Sequence, residues 1–244
     1  MLNYFSNAPL VYHAPQPDGN ENDIYVLDIS SGETVNLTED STVWDAFPDW
    51  SPNGDLIAFV SDRAEGGGKA LDDVWTMKPD GSGLRNLTNN GEDWEDYYPA
   101  WSPDGKSIAF FRSGIMAPSE GGPAGLWVMD ADGKNQRLVT AIEVFRAGGT
   151  PVWSPDGQYL AYPFELDGVE DVWVVPVAGG EPVNVSDLPG AKSHISWSPY
   201  SKALIFTNDY DVDGTLLIYI AIADGSDTHL LLTHEMYGFG DWAP

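Results

Sequence analysis

A five-residue motif that recurs along the chain constrains its fold more than any other feature. The motif is Trp-Ser-Pro followed by Asp-Gly or a variant, and its copies begin at Trp50, Trp101, Trp153, Trp197 and, shortened to Trp-Ala-Pro, at Trp242. Successive copies lie 51, 52, 44 and 45 residues apart. A repeat of this length is typical of one four-stranded blade of a β-propeller. The composition agrees, because 26 Gly and 18 Pro suit many short strands joined by tight turns.

Each repeat contains the same elements in the same order. An apolar run follows the Trp-Ser-Pro turn, then a variable loop, a strand centred on an aromatic residue, a Gly-containing turn and a strand ending in Thr or Ser. We predict that the repeated tryptophans pack in the core between adjacent blades. Asn36, Asn86 and Asn184 begin Asn-X-Ser/Thr sequons, but they share one repeat position, which assigns them to the last strand of a blade.

The two ends of the chain each hold part of a repeat. The first repeat lacks its first strand, whereas the chain ends with an unmatched strand around Trp242. We therefore predict that Trp242–Pro244 pairs beside Leu10–Tyr12 and completes one composite blade, since closure removes exposed sheet edges. The sequence thus predicts a single all-β domain over residues 1–244. Its expected form is a closed five-bladed propeller of four-stranded antiparallel blades.

The repeat also resembles a known family. The pattern Pro-X-Trp-Ser-Pro-Asp-Gly, followed by Ile-Ala-Phe, Asp-Val-Trp, Asp-Gly and Leu-Thr, is similar to the TolB-type propeller repeat, which also builds the propellers of prolyl-oligopeptidase-type peptidases. The resemblance covers about Leu10 to Pro244. It implies a non-enzymatic scaffold that binds protein partners, in a periplasmic or extracellular location. TolB itself has six blades and a separate N-terminal domain, whereas this chain shows five units.

Net charge is the second informative property of the chain. Eleven Lys and Arg face 38 Asp and Glu, which gives a formal charge of −27. Phosphate binding needs basic patches, so nucleic acid and anionic membrane surfaces are not expected partners. The chain has no Cys and no apolar run of about 18 residues, so we expect neither thiol chemistry nor a membrane span. Its first ten residues do not have the pattern of a signal peptide.

The variable loops are the expected binding face. The Trp-Ser-Pro and Gly-containing turns lie at one end of each blade, which places the loops of variable length at the other end. Variable loops on a rigid scaffold commonly carry binding sites. Aromatic and charged residues of the loops that lead into the innermost strands are therefore candidate ligand-binding residues around the central funnel: Trp44, Asp45, Trp94, Asp96, Tyr97, Arg146, His194 and Tyr237.

One loop has the residue types of a calcium site. Asp209, Asp211 and Asp213 alternate in a short segment that ends in Gly214, and carboxylate oxygens are the ligands that Ca²⁺ prefers. The loop does not complete an EF-hand, because Ile220 stands where that motif needs Glu. A Ca²⁺ site and an acidic hairpin tip without metal are the two alternatives for this loop.

These observations favour a monomeric binding or scaffold propeller, which engages a protein or a small ligand through its acidic, aromatic loop face. The chain has no Gly-X-Ser-X-Gly nucleophile motif and no metal-binding spacing among its four His. One alternative is a carbohydrate-active enzyme or lectin, with Asp45, Asp96 and Glu143 as candidate carboxylates. Another is a propeller domain from a larger sensor or peptidase.

Overall fold

The strands form five antiparallel sheets, each of which follows chain order from its first to its last strand. The computed structural model describes residues 9–16, 19, 21–39, 43–63, 71–89, 94–114, 123–142, 149–166, 168–208 and 216–234. Blade 1 consists of β1 (Leu10–Pro15), β2 (Asn22–Leu27) and β3 (Thr34–Asn36). Blade 2 consists of β4 (Asp45–Trp50), β5 (Ile57–Ser61), β6 (Asp73–Met77) and β7 (Arg85–Asn86).

The remaining three blades also have four strands each. Blade 3 consists of β8 (Trp94–Trp101), β9 (Ser107–Gly114), β10 (Gly125–Asp130) and β11 (Arg137–Ala141). Blade 4 consists of β12 (Val152–Trp153), β13 (Tyr159–Leu166), β14 (Val169–Pro176) and β15 (Val183–Asn184). Blade 5 consists of β16 (Lys192–Trp197), β17 (Ala203–Asn208), β18 (Leu216–Ile222) and β19 (Thr228–His234). No helix in the described part of the chain could cross a membrane.

The Trp-Ser-Pro turns have a common hydrogen-bonding pattern. The serine hydroxyl accepts the backbone N–H five residues later, as in Ser51 with Leu56 at 2.9 Å, Ser102 with Ser107 at 3.0 Å and Ser154 with Tyr159 at 2.9 Å. This bond fixes the turn from the side chain and lets the two flanking strands pair directly. The repeated Ser is therefore a turn residue of the scaffold.

The core lies between neighbouring blades, as the repeated tryptophans predict. Trp101 and Ile108 of blade 3 pack in one cluster with Ala58 and Leu87 of blade 2. The indole of Trp153 donates to the carbonyl oxygen of Ala100 in the preceding blade at 3.0 Å. The indole of Trp197 likewise donates to Val152 of blade 4 at 3.0 Å. Trp153 and Trp197 therefore each link the first strands of two adjacent blades by packing and by a hydrogen bond, whereas Trp101 does so by packing alone.

The three sequons belong to a repeated polar motif inside the blades. In blade 2, Asn86 donates to the carboxylate of Asp73 at 2.8 Å and the hydroxyl of Thr88 donates to it at 2.9 Å. The same arrangement occurs in blade 1 around Asp23 and in blade 4 around Asp171. The motif satisfies a buried carboxylate and ties the last strand of the blade to the strand before it.

The five sheets confirm an all-β fold that is consistent with a five-bladed propeller. Among the described residues, blade 1 has three strands, with β1 at one edge of its sheet. The residues that we expect to close the ring, Trp242–Pro244, lie outside the described residues. Closure therefore stays a prediction.

Asp49 on β4 forms an additional link between two blades. Its carboxylate accepts the backbone N–H of Trp101 on β8 at 2.7 Å. Burial raises the pKa of Asp49 to about 6, although backbone hydrogen bonds from Trp101 and Trp50 act in the opposite direction. Because the folded pKa lies above that of an unfolded Asp, folding takes up a proton between about pH 4 and 6. The free energy of unfolding therefore falls as the pH rises through this window. Above it, the protein bears the full cost of burying the ionised Asp49 carboxylate.

We expect Asp49→Asn to stabilise the protein at neutral pH. An Asn oxygen can still accept the Trp101 N–H but has no charge to desolvate, so the gain is on the order of 2 kcal/mol at pH 7.5 and smaller at pH 4.5. Urea unfolding at both pH values measures the difference. Asp55→Asn removes the same charge from an exposed turn and is the control. An equal gain in both variants would assign the effect to net charge alone.

Candidate functional site

The first strands of blades 2, 3 and 5 each contain a β-bulge at the same repeat position. One extra residue is accommodated between Ala46 and Asp49, between Tyr97 and Ala100, and between Ser193 and Ser196. The residues with positive φ at these bulges are Phe47 (51°), Tyr98 (54°) and His194 (54°). Each stands three residues before the Trp of its motif. Positive φ is rare in residues with bulky side chains, and its recurrence marks these positions as special.

Two of the bulge residues belong to an aromatic cluster that spans three blades. The rings of Phe47 and Tyr98 are 4.3 Å apart between centroids. His13 of blade 1 lies 5.3 Å from Phe47, and Trp44 lies 5.5 Å from it. Tyr97 lies 6.3 Å from Tyr98. None of the five side chains is fully buried, so we call this set the aromatic patch.

His13 supports the bulge of the neighbouring blade. Its Nδ1 accepts the backbone N–H of Phe47 at 3.3 Å. Burial lowers the pKa of His13, which keeps the imidazole neutral and able to accept this bond at neutral pH. His13, Phe47 and Tyr98 were not among the candidate site residues predicted from the sequence. For Phe47 the available signal was its position three residues before the Trp-Ser-Pro motif.

Carboxylates lie beside the tyrosines of the aromatic patch. The hydroxyl of Tyr97 donates to Glu95 at 2.5 Å and also bonds to Asp72. Burial raises the pKa of Asp72 to about 6, the bond to Tyr97 lowers it, and the negative charges of Glu95, Asp62 and Asp73 raise it further. Burial and the bond to Glu95 both raise the pKa of Tyr97, so the phenol stays protonated. This loop end of blades 2 and 3 therefore combines aromatic rings with negative charge.

From the sequence we expected Asp45 and Asp96 to lie in loops around the central funnel. The structure places them elsewhere. Both are fully buried within β4 and β8. Arg63 donates to both carboxylate oxygens of Asp45 at 2.7 Å, and Arg112 binds those of Asp96 at 2.8 and 2.9 Å. Strands β4 and β8 begin earlier than the sequence suggested. Their residues before the Trp-Ser-Pro motif form a β-bulge within the strand, although the sequence pattern had indicated a loop there. The two aspartates are therefore ion-paired residues of the blades.

A lysine occupies the equivalent position in blade 5. Lys192 stands five residues before its Trp, as Asp45 and Asp96 do, and is also buried. Its ammonium group lies 3.1 Å from the carboxylate of Asp171 in the preceding blade and donates to two backbone carbonyl oxygens. Although burial raises it, hydrogen bonds from Ser186, Asn184 and Lys192 hold the pKa of Asp171 below its usual value. The ion pair thus joins blades 4 and 5.

The other predicted site residues have different surroundings. Trp44 and Tyr97 belong to the aromatic patch, whereas Trp94 is only 2% exposed. His194 is exposed on its bulge, and its Nδ1 lies 2.8 Å from the hydroxyl of Ser193 and 3.3 Å from that of Thr207. Arg146 and Tyr237 lie outside the described residues.

The predicted calcium ligands Asp209, Asp211 and Asp213 also lie outside the described residues, so the calcium site stays a prediction. Within the described ranges, no group of three or more His, Asp or Glu side chains is arranged to hold a metal ion.

Comparison with known proteins supports the resemblance that the repeats suggested. No protein-family profile matches the chain. The uncharacterized protein Atu1656 of Agrobacterium fabrum is 32% identical over 171 residues, which cover 64% of this chain and 55% of that protein. The Tol-Pal system protein TolB of Zymomonas mobilis is 41% identical over 83 residues, which cover 34% of this chain and 16% of TolB. The match thus spans about half of the first protein and a small part of the second.

Solved structures extend the likeness over almost the whole chain. TolB from Acinetobacter baumannii has a TM-score of 0.61 at 19% identity and covers 93% of this chain and 53% of its own. An oligogalacturonate lyase from Vibrio parahaemolyticus has a TM-score of 0.65 at 13% identity and covers 94% of this chain and 68% of its own. At such identities the likeness shows the fold alone, and this fold is shared by enzymes and by TolB. The sequence matches include TolB over about a third of this chain and the uncharacterized peptidase YuxL of Bacillus subtilis over 45% of it, so the chain is similar to propellers of the TolB type.

Proposed function

We propose that the protein is a binding or scaffold module that engages its ligand through the aromatic patch at the loop end of its blades. The observation that carries this proposal is the set of bulges in the first strands, which places Phe47 and Tyr98 side by side at the cost of positive φ. Strained backbone is commonly kept where it serves a function. Partly exposed aromatic rings at the end of a rigid scaffold are typical of interaction surfaces.

The expected partner is a protein or a small molecule outside the cytoplasm. The TolB sequence matches support this, because the resemblance implies a periplasmic or extracellular scaffold. The excess of negative charge argues against nucleic acid and anionic membranes as partners. We expect the protein itself to be a monomer.

The structure does not favour the carbohydrate-active alternative through the carboxylates first considered. Asp45 and Asp96 are buried against Arg63 and Arg112, so neither side chain is available to a glycosidic bond. Glu143 lies outside the described residues. We therefore propose binding without catalysis by these groups.

Photo-crosslinking tests which end of the blades binds a partner. Benzoylphenylalanine at Tyr98 samples the aromatic patch, and the same residue at Tyr200 samples the opposite end, where the native ring is 84% exposed. In cells that produce the protein, we expect crosslinked adducts from position 98 and few from position 200. Gel shifts after irradiation, followed by mass spectrometry, measure both.

The two crosslinking positions give a matched comparison, because each replaces one tyrosine by the same larger aromatic residue. Adducts from position 200 alone would contradict the proposal. The absence of adducts from both positions would contradict it as well.

We further propose that Trp242–Pro244 closes the ring beside β1. The sheet order supports this closure, because blade 1 shows three strands among the described residues and β1 lies at the edge of its sheet. The repeat places the motif tryptophan in the first strand of a blade, and Trp242 is the one copy left for blade 1.

Removal of Phe239–Pro244 tests the closure. We expect a fall in melting temperature of at least 5 °C and the appearance of oligomers in size-exclusion chromatography, because the edge of β1 would lose its partner. Trp242→Ala should cause a smaller fall of the same kind. An unchanged melting temperature together with a single monomer peak would show that these residues do not close the ring.

A further inference from the structure

The aromatic patch combines with local charge in a way that specifies the chemistry of its partner. The carboxylates of Asp72 and Glu95 flank Tyr97, and that of Asp62 accepts the backbone N–H of Trp44 at 2.8 Å. Among the described residues, no Lys, Arg or His nitrogen forms an ion pair with these three carboxylates. The patch therefore presents aromatic faces and uncompensated negative charge at the same place.

Two sites within blades 2 and 3 show what this combination of groups binds. The guanidinium of Arg63 lies 5.3 Å from the ring of Phe59 and 5.6 Å from that of Trp75, while it pairs with Asp45. In blade 3, Arg112 lies 4.7 Å from the ring of Trp127 and pairs with Asp96. Aromatic rings attract a cation through their faces, and a carboxylate adds charge-assisted hydrogen bonds. Blades 2 and 3 each use this combination to hold a guanidinium.

Among the described residues, the aromatic patch has both kinds of group but no guanidinium. Arg63 of blade 2 and Arg112 of blade 3 are already engaged by Asp45 and Asp96. A neutral apolar partner would bury Asp72 and Glu95 without compensating their charge, and an anionic partner would be repelled by them. A planar cation with an apolar stem satisfies the rings and the carboxylates together.

We propose that the partner is a peptide segment that inserts an arginine side chain against Phe47, Tyr97 and Tyr98, with its guanidinium at Asp72 and Glu95. This proposal rests on the proposed function, since it names the partner chemistry of the same surface. We expect a basic peptide because an extended segment is narrow enough to reach the aromatic patch at the end of the blades. Its arginine can then contact both the rings and the carboxylates. The net charge of −27 assists the approach of such a segment.

The test measures binding of acetyl-Gly-Arg-Gly-Arg-Gly-amide by calorimetry, with the peptide that carries citrulline in place of arginine as control. Citrulline keeps the shape of the side chain but has no charge. Sodium chloride at ~0.3 M suppresses long-range attraction, since the Debye length is then below about 8 Å. We expect the arginine peptide to bind about tenfold or more tightly than the citrulline peptide.

Two double variants examine the two parts of the site separately. Phe47→Leu with Tyr98→Leu keeps apolar bulk but removes the ring faces, and Asp72→Asn with Glu95→Gln removes the charges. Each should weaken binding of the arginine peptide about tenfold, given the strength of cation–π and charged contacts. Glu33→Gln with Glu181→Gln removes the same charge from exposed turns at the other end of the blades and should leave the affinity unchanged.

Three results would overturn the proposal: equal affinity for the two peptides, an equal loss in the turn control, or full affinity in the leucine variant. The carboxylate variant keeps the test decisive if the leucine variant does not fold. If position 98 forms crosslinks but the arginine and citrulline peptides bind equally, only the arginine assignment is contradicted. If position 98 forms no crosslinks and the two peptides bind equally, the proposed function itself is contradicted.

Discussion

The contact between the first strands of neighbouring blades is the interaction on which the rest of the structure depends. In blades 2 to 5 the tryptophan of the motif packs between two sheets, and in blades 4 and 5 its indole also bonds to the preceding blade. Where one residue both packs and bonds across the junction, it fixes the spacing between the two blades at the turn end. At the Trp-Ser-Pro end the repeats are nearly uniform in sequence, which leaves the opposite end free to vary.

The bulges position side chains at the loop end relative to the fixed junctions between blades. Each bulge lies only three residues before the fixed tryptophan, so the position of Phe47, Tyr98 or His194 is set by an anchored neighbour. An extra residue in a strand changes the direction of the side chains that follow it towards the strand end. This explains how Phe47 and Tyr98, on different blades, come within 4.3 Å of each other. A surface of this kind is organised before any partner arrives, which reduces the entropy cost of binding.

The repeat predicts most of the fold from sequence, because each blade contains the same turn, apolar run and aromatic strand. The site is less predictable, and Asp45 and Asp96 show why. Their partners Arg63 and Arg112 stand 18 and 16 residues later in the chain. Each pair comes into contact only through the register in which the first and second strands of the blade pair. His13 was missed for a similar reason, since it reaches Phe47 from another blade and belongs to no local motif.

The position five residues before the motif shows how repeats diverge without loss of the fold. In blades 2 and 3 this position holds Asp45 and Asp96, each neutralised by an arginine of the same blade. In blade 5 it holds Lys192, which instead neutralises Asp171 of the preceding blade. A buried charge must be compensated at every junction, but the sign and the partner can change. In blades 2 and 3 this arrangement engages Arg63 and Arg112, and the carboxylates beside Tyr97 have no ion-pair partner among the described residues. The negative charge of the proposed binding surface is thus a consequence of how the blades neutralise their own buried charges.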